Sequence, residues 1–479
     1  MSESPLLLSG EGQELLGVWA PLQRSLTVGL LLTVSATAFE ALAVATVLPT
    51  VLAELGGLGL YGWVFSGFML CNLVSIAAFG QLADERGIAL PFVGGSMLFV
   101  LGLAIAGVAP SMGIVVIGRM AQGVGAGAIS CASYMAVARG YGPGAQPRML
   151  ALLSSAWVVP GLIGPAVAGS VADHVGWRWV FLGIAPFTAI AAGVATSGLR
   201  RLTPQEETTR DPGQVAKAIW LALGTALVLI GVGSHSMVIT TLCVVAGAPV
   251  AFPALRGLFP VGTLRAAPGT PAAIASLALL TFAFFGAEAF VPLLLTTVRG
   301  QPATVVGLAL TSATLAWTTG AWLQARLSLR GDRRRLSRSG FVLTVLGIAG
   351  TASALHGEIP VWVVALAWGA AGLGIGLAYS TLTLVVLERA TKGQEGAAAT
   401  ALQLANVLGV ALGTGAGGAT LGLLTAAGRS HAFAIAGIDA MMVMAAGLGL
   451  AATTRLPKRP PEPLAAAAAL PKAAQIDTP

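Results

Sequence analysis

Apolar runs of about 20 residues, each closed by a short polar or glycine-rich break, recur along this chain, and a helix needs that length to cross a bilayer's hydrocarbon core. Six runs come first: 25–47, 63–82, 90–108, 112–138, 149–175 and 179–199. A polar linker follows, RRLTPQEETTRDPGQ, from Arg200 to Gln214. Two more runs, 215–233 and 237–255, are separated by Ser234, His235 and Ser236. Six further runs are 272–298, 303–325, 340–355, 360–387, 397–424 and 431–452. The pattern predicts an all-α integral membrane protein of fourteen spans, two six-helix bundles joined through an extra helix pair. Residues 1–205 form the first bundle in this reading, 206–265 the linker with its pair, and 266–455 the second bundle. Residues 456–479, rich in Pro and Ala, read as a disordered cytoplasmic tail. The alternative for the linker pair is two helices lying in the membrane surface; the near-absence of charge along both runs favours spanning.

Composition agrees: of 479 residues, 56% are hydrophobic and only 9% charged, far from soluble-domain usage. Glycine, at 63 residues, lets helices approach closely where water supplies no driving force. The net charge of +7 is dispersed over short loops, so it does not indicate nucleic-acid binding. Cys71, Cys131 and Cys243 all lie in apolar runs, which argues against a disulfide framework. Residues 1–24 contain Glu3, Glu11 and Glu14 and no cleavable-signal pattern, so the first span is expected to direct insertion.

Charge asymmetry sets the expected orientation. With both termini in the cytoplasm, the outer loops hold only Arg178, Arg299 and Arg429 of the 26 Lys and Arg, and Arg119 lies inside a span. Arg200, Arg201, Arg326, Arg333, Arg334, Arg335, Arg338 and Arg389 then all face the cytoplasm. A multi-pass protein of the cell membrane, acting as a monomer, is the expectation.

The chain also repeats. Gly123, Gly125 and Gly127 recur as Gly372, Gly374 and Gly376, an offset of 249. Glu288 follows Glu40 by 248 positions, and both lie inside apolar runs. A carboxylate at a helix centre costs roughly 2.5–3.5 kcal/mol on insertion scales, so such residues usually face a bundle interior or polar cavity. Parallel repeats with a site at their interface are a transporter architecture.

Four motifs carry a family resemblance. FEALAVATVLP, Phe39–Pro49, places Glu40 before a Leu-Pro. GQLADERG, Gly80–Gly87, contains Asp84 and Arg86 between two turn glycines. GRMAQGVGAGA, Gly118–Ala128, places Arg119 and Gln122 about one turn apart. VPGLIGPAVAG, Val159–Gly169, contains Gly164, Pro165 and Gly169. On these the sequence resembles the major facilitator superfamily, specifically its fourteen-helix drug:proton antiporter branch, from about Ser25 to Leu456. Departures are Glu40 where the branch usually has Asp, Glu85 for an Arg, Ile88 and Ala89 for a basic pair, and Ala168 for a glycine. The resemblance implies that Asp84 pairs with a basic residue to latch one conformation, and that the Gly-Pro motif marks export.

At about 1.5 Å per residue, Glu40, Arg119, Asp439 and Glu288 fall in one layer roughly 10–15 Å below the outer surface. Glu40 and Arg119 read either as a proton site with its counter-charge or as a static pair fixing two helices. Glu288 reads as a second proton site, a contact for cationic cargo, or a structural hydrogen-bonder. Asp439 is a weaker coupling candidate. Gln122, Tyr379, Gln403 and Asn406 could line a cavity, with Trp157, Trp317 and Trp368 stacking on substrate; packing or interfacial anchoring is the plain alternative for each tryptophan. His174, His235, His356 and His431 fall at outer ends, where interfacial placement accounts for them.

The expected function is proton-coupled export of hydrophobic or amphipathic compounds by alternating access. Lipid or glycolipid export is the alternative, and a metabolite uniporter a third. An enzyme is disfavoured: no metal-ligand spacing and no phosphate loop are visible, so neither metal nor cofactor is expected. The expected partners are a small hydrophobic or amphipathic substrate or a lipid, protons and the bilayer, without nucleic acid.

Overall fold

A computed structural model describes residues 17–142, 144–202, 213–328, 332–390 and 395–458. Most of the polar linker and of the Pro/Ala-rich tail lies outside them. The described residues are helical, with no strand among them. Fourteen long helices follow in order: α1 Pro21–Leu55, α2 Trp63–Arg86, α3 Ala89–Gly107, α4 Met112–Gly140, α5 Val158–His174, α6 Arg178–Leu199, α7 Gln214–Val232, α8 Met237–Leu258, α9 Thr270–Glu288, α10 Ala303–Leu327, α11 Arg333–Thr351, α12 Val361–Glu388, α13 Glu395–Ala426 and α14 His431–Ala452.

Thirteen regions among the described residues are long and apolar enough to cross a membrane. The remaining long helix is α10. Its 25 residues suffice in length, but Thr304, Thr311, Ser312, Thr314, Thr318 and Thr319 dilute its apolar content. It lies against α12 and α5, so much of it is shielded by protein.

Two expected spans are interrupted, both by proline. The run 149–175 is not one helix. A separate segment, Gln146–Ser155, stops at Ala156 and Trp157, and α5 begins at Val158. Pro160 has no N–H to offer the Ala156 carbonyl, four residues back. The Ser35 hydroxyl of α1 bonds that carbonyl instead, at 3.0 Å. The run 272–298 breaks in the same way: α9 ends at Glu288, and after Ala289 and Phe290 the chain continues as one turn, Val291–Leu293, and a π-helical segment, Leu294–Val298. Pro292 leaves the Glu288 carbonyl without its regular partner.

The first six helices pack mainly among themselves, with α1 against α5 and α6, and α4 against α2 and α3. The last six do likewise, with α12 against α10 and α11, and α9 against α13 and α14. The extra pair packs through small residues: a methyl on Gly224 would sit 2.6 Å from the Ala251 backbone, so α7 and α8 touch nearly backbone to backbone. α7 rests on α2 and α13, while Met237, Val238, Leu242 and Val245 of α8 are exposed, as a lipid-facing helix requires.

Arg86 at the end of α2, Arg200 and Arg201 just after α6, Arg326 at the end of α10 and Arg333 at the start of α11 share one end of the bundle, here the basic end. Contacts joining the two sets of six helices concentrate towards the opposite end. There the Tyr61 hydroxyl donates to the Ala289 carbonyl at 3.0 Å, and the Ser66 hydroxyl donates to the Ala411 carbonyl at 2.9 Å. Added methyls on Gly62, Gly169 and Gly307 would strike the backbones of Thr414, Ala303 and Pro165 within 2.6 Å. Towards the basic end Tyr134 of α4 and Trp157 are exposed.

Candidate functional site

The charged centre of the first six helices is built on α1 and α4. Arg119 is 3% exposed and Glu40 is 2% exposed, so neither is solvated. The Arg119 guanidinium forms an ion pair with Glu40 Oε1 and also donates to Gln122 Oε1. Its Nε donates to the Val64 carbonyl of α2 at 3.2 Å, and the Phe68 ring lies 4.2 Å from its central carbon. The side chain is thus satisfied by carboxylate, amide, carbonyl and aromatic face, as a guanidinium out of water requires. Two polar atoms are left over: Glu40 Oε2 and Gln122 Nε2 are buried and make no hydrogen bond among the described residues.

Glycines bring these helices together. Methyls on Gly123 and Gly127 would meet the Phe68 and Asn72 carbonyls at 2.2 and 2.7 Å, so α4 lies directly on α2. Gly164 faces the Phe39 ring, beside Glu40, and Gly161, Pro165 and Gly169 face α10. The α5 motif therefore serves two interfaces.

Glu288 lies at the last residue of α9, at the break, half-buried. Among the described residues it makes no hydrogen bond or ion pair. One turn earlier, Phe284 and Phe285 begin an aromatic group. Phe284 stacks on Trp368, with centroids 4.9 Å apart and planes at 16°. Trp317 meets Phe284 edge-on at 5.7 Å and contacts Tyr379 at 5.8 Å. Trp317 and Tyr379 are half-buried. Trp368 does not line open space: it is fully buried, so its role is packing, a correction to the cavity reading. It occupies the position 249 after Arg119, as Trp317 does for Phe68. Where the first bundle holds a cation on a ring, the second holds two indoles.

The remaining candidates scatter. Gln403 and Asn406 are half-buried on α13, and Asn406 Oδ1 is buried without a hydrogen-bond partner among the described residues. Trp157 is exposed at the α5 break. Asp439 accepts a 2.9 Å hydrogen bond from Thr351 between α14 and α11, remote in chain and packing from Glu40. Asp84 pairs with Arg139 of α4 at 2.5 Å. Arg86 is exposed, and Gly87 ends α2 at φ 81, a conformation that suits glycine. Gly80 packs on Cys131.

Two features escaped the residue-by-residue reading. Asp173, near the end of α5, accepts from the backbone N–H of Ala303 and Thr304 at 3.1 and 2.9 Å and from the Thr304 hydroxyl at 2.7 Å. It holds the N-terminus of α10 across the bundle boundary, where the helix dipole favours an anion. Arg333 pairs with Glu388 at 2.7 Å between α11 and α12. The 249-residue offset applied to Asp84 and Arg139 lands on these two residues, so this pair was within reach of the sequence.

Comparison with known proteins follows the same architecture. The family model described as Major Facilitator Superfamily matches residues 28–414. An uncharacterized MFS-type transporter of Mycobacterium tuberculosis is 26% identical over 391 residues, which are 78% of this chain and 56% of that protein. A probable multidrug-efflux transporter of the same organism is 27% identical over 397 residues, 78% of this chain and 82% of that one. The chain thus spans little more than half the length of the first relative. Among solved structures, a bacterial homolog of the human lysosomal transporter Spinster, in an inward-facing and unoccupied conformation, superposes with a TM-score of 0.65 over 91% of this chain and 98% of that chain, at 13% identity.

Proposed function

The chain belongs to the major facilitator superfamily, and we propose that this multi-pass membrane transporter is a proton-coupled exporter of hydrophobic or amphipathic compounds in the cell membrane. The observation that carries the reading is the buried Glu40–Arg119 pair with its free second carboxylate oxygen. A carboxylate closed off from water, held by one guanidinium and keeping one oxygen unbonded, can take a proton and release its partner. Protonation removes the Coulomb attraction and leaves Arg119 as an unpaired buried charge, a state of several kcal/mol that helix movement would relieve. That links proton binding to conformation.

The basic end is assigned to the cytoplasm by its arginines. Closure at the opposite end then corresponds to an inward-facing state, and Glu40 takes its proton from outside only after the Tyr61, Ser66 and Asp173 contacts have opened. Substrate recognition falls to the half-buried Trp317, Tyr379 and Phe285 beside Glu288, a surface with aromatic faces and few polar groups. The multidrug-efflux name of a relative at 27% identity supports this cargo class.

The test is transport by purified protein in proteoliposomes under an imposed pH gradient. Glu40→Gln abolishes gradient-driven movement while substrate binding persists. Gradient-driven transport left intact in both Glu40→Gln and Glu288→Gln would show the coupling assignment to be wrong.

A further inference from the structure

Two seams join the bundles, α2 against α13 and α5 against α10. The linker pair covers the first: Ala218 and Leu221 of α7 pack with Leu73 of α2 and with Leu404, Val407 and Leu408 of α13. The second seam carries an open groove of about 340 Å³, walled by Val158 and Leu162 of α5 and by Leu315, Trp322 and Leu323 of α10, with Arg326 at its basic end.

The groove follows from the packing. α5 and α10 lie backbone to backbone at Gly169 and Gly307, touch again where Gly161 meets the Thr314 side chain, and part beyond it. The groove opens on the side of α10 away from α12, since Ala313, Trp317 and Gly320 are the residues meeting the α12 glycines. Its walls are exposed apolar side chains, Trp322 by 69%. Three threonines also line it, but their hydroxyls bond back to their own helix, as Thr318 does to the Thr314 carbonyl at 3.1 Å and Thr319 to the Leu315 carbonyl at 2.9 Å. Charge therefore enters at one point. Arg326 is exposed and has no ion pair or hydrogen bond among the described residues.

An apolar trough about three helical turns long, capped by a free guanidinium where α10 leaves the bilayer, matches an acyl chain ending in a phosphate. We propose that the α5–α10 groove binds an anionic phospholipid of the surrounding bilayer, with a chain along Leu162, Leu315 and Trp322 and the phosphate on Arg326. A zwitterionic lipid has the same chains, but its ammonium group offsets the attraction to Arg326.

Tryptophan fluorescence of the full chain in vesicles tests this directly, independently of transport. Half-maximal quenching requires about fivefold less chain-brominated phosphatidylglycerol than brominated phosphatidylcholine, the preference one basic residue near a membrane surface confers. The preference persists in Arg326→Lys, falls to nothing in Arg326→Gln, and vanishes with its reporter in Trp322→Phe. Equal quenching by the two lipids marks ordinary annular contact and overturns the proposal. So does a preference that survives Arg326→Gln or Trp322→Phe.

Discussion

Arg333 and Glu388 bond at 2.7 Å at the positions that Asp84 and Arg139 hold in the first half of the chain, with the charges exchanged. Each pair spans 55 residues and ties two neighbouring helices at the basic end. The repeat keeps an ion pair at this place but not its polarity. Coulomb attraction between two facing helices needs opposite charges and is indifferent to which helix carries which.

A charge exchange is therefore expected to be tolerated. Glu388→Arg alone leaves two cations facing each other, one only 6% exposed, and costs about 3–5 kcal/mol, as breaking a buried pair does. Arg333→Glu combined with Glu388→Arg restores most of that. Thermal unfolding of the purified protein measures both. Asp84→Asn costs less, because its pair is 25% and 13% exposed.

The central pair should show non-additivity. Arg119→Gln strands Glu40 and costs about 3–5 kcal/mol. Glu40→Gln with Arg119→Gln removes both charges, so the double variant unfolds at a higher temperature than Arg119→Gln alone. Additive losses in that cycle would mean that the two side chains do not interact.

Asp173→Ala frees the N-terminus of α10, and loss of such a cap typically costs about 1–2 kcal/mol, roughly a 5- to 30-fold shift in a two-state equilibrium. Because the bond crosses the bundle boundary, the shift favours opening of the end opposite the arginines. A cysteine at Ser66, in a background with Cys71, Cys131 and Cys243 replaced, reports this as faster modification by a polar thiol reagent from that side. Asp173→Asn, which keeps one acceptor oxygen, shows a smaller increase.

Gly307→Ala should be costly, and Gly94→Ala should not. A methyl at Gly307 would lie 2.1 Å from the Pro165 carbonyl oxygen, whereas at Gly94 it meets nothing within 4 Å. Forcing α10 away from α5 costs about 1–3 kcal/mol, as overpacking does. Paired melting curves separate the two.

Much of this architecture was legible along the chain because each element rests on a local property. Span positions follow from the transfer free energy of about 20 consecutive residues. Pro160 and Pro292 were visible too, and each removes a specific N–H, so the two helix breaks were readable in principle; the apolar content of the runs obscured them. Arg119 and Glu40 stood out as charges too expensive to leave unpaired. Trp368 stayed open between cavity and packing, since an indole in an apolar run carries no sign of whether it meets a ligand or Phe284.

The sequence by itself determined the fourteen helices, the repeat, the basic end and the few charges that must be compensated. Only the tertiary structure decided that Arg119 spends itself on Glu40, Gln122 and Val64 together, that Glu288 sits at a helix end without a bond among the described residues, that Asp173 reaches across to α10, and that one seam is covered while the other lies open with Arg326 at its rim. Burial is set residue by residue against lipid and water. A partner is set by the rotation and register of two helices, which many packed side chains decide together.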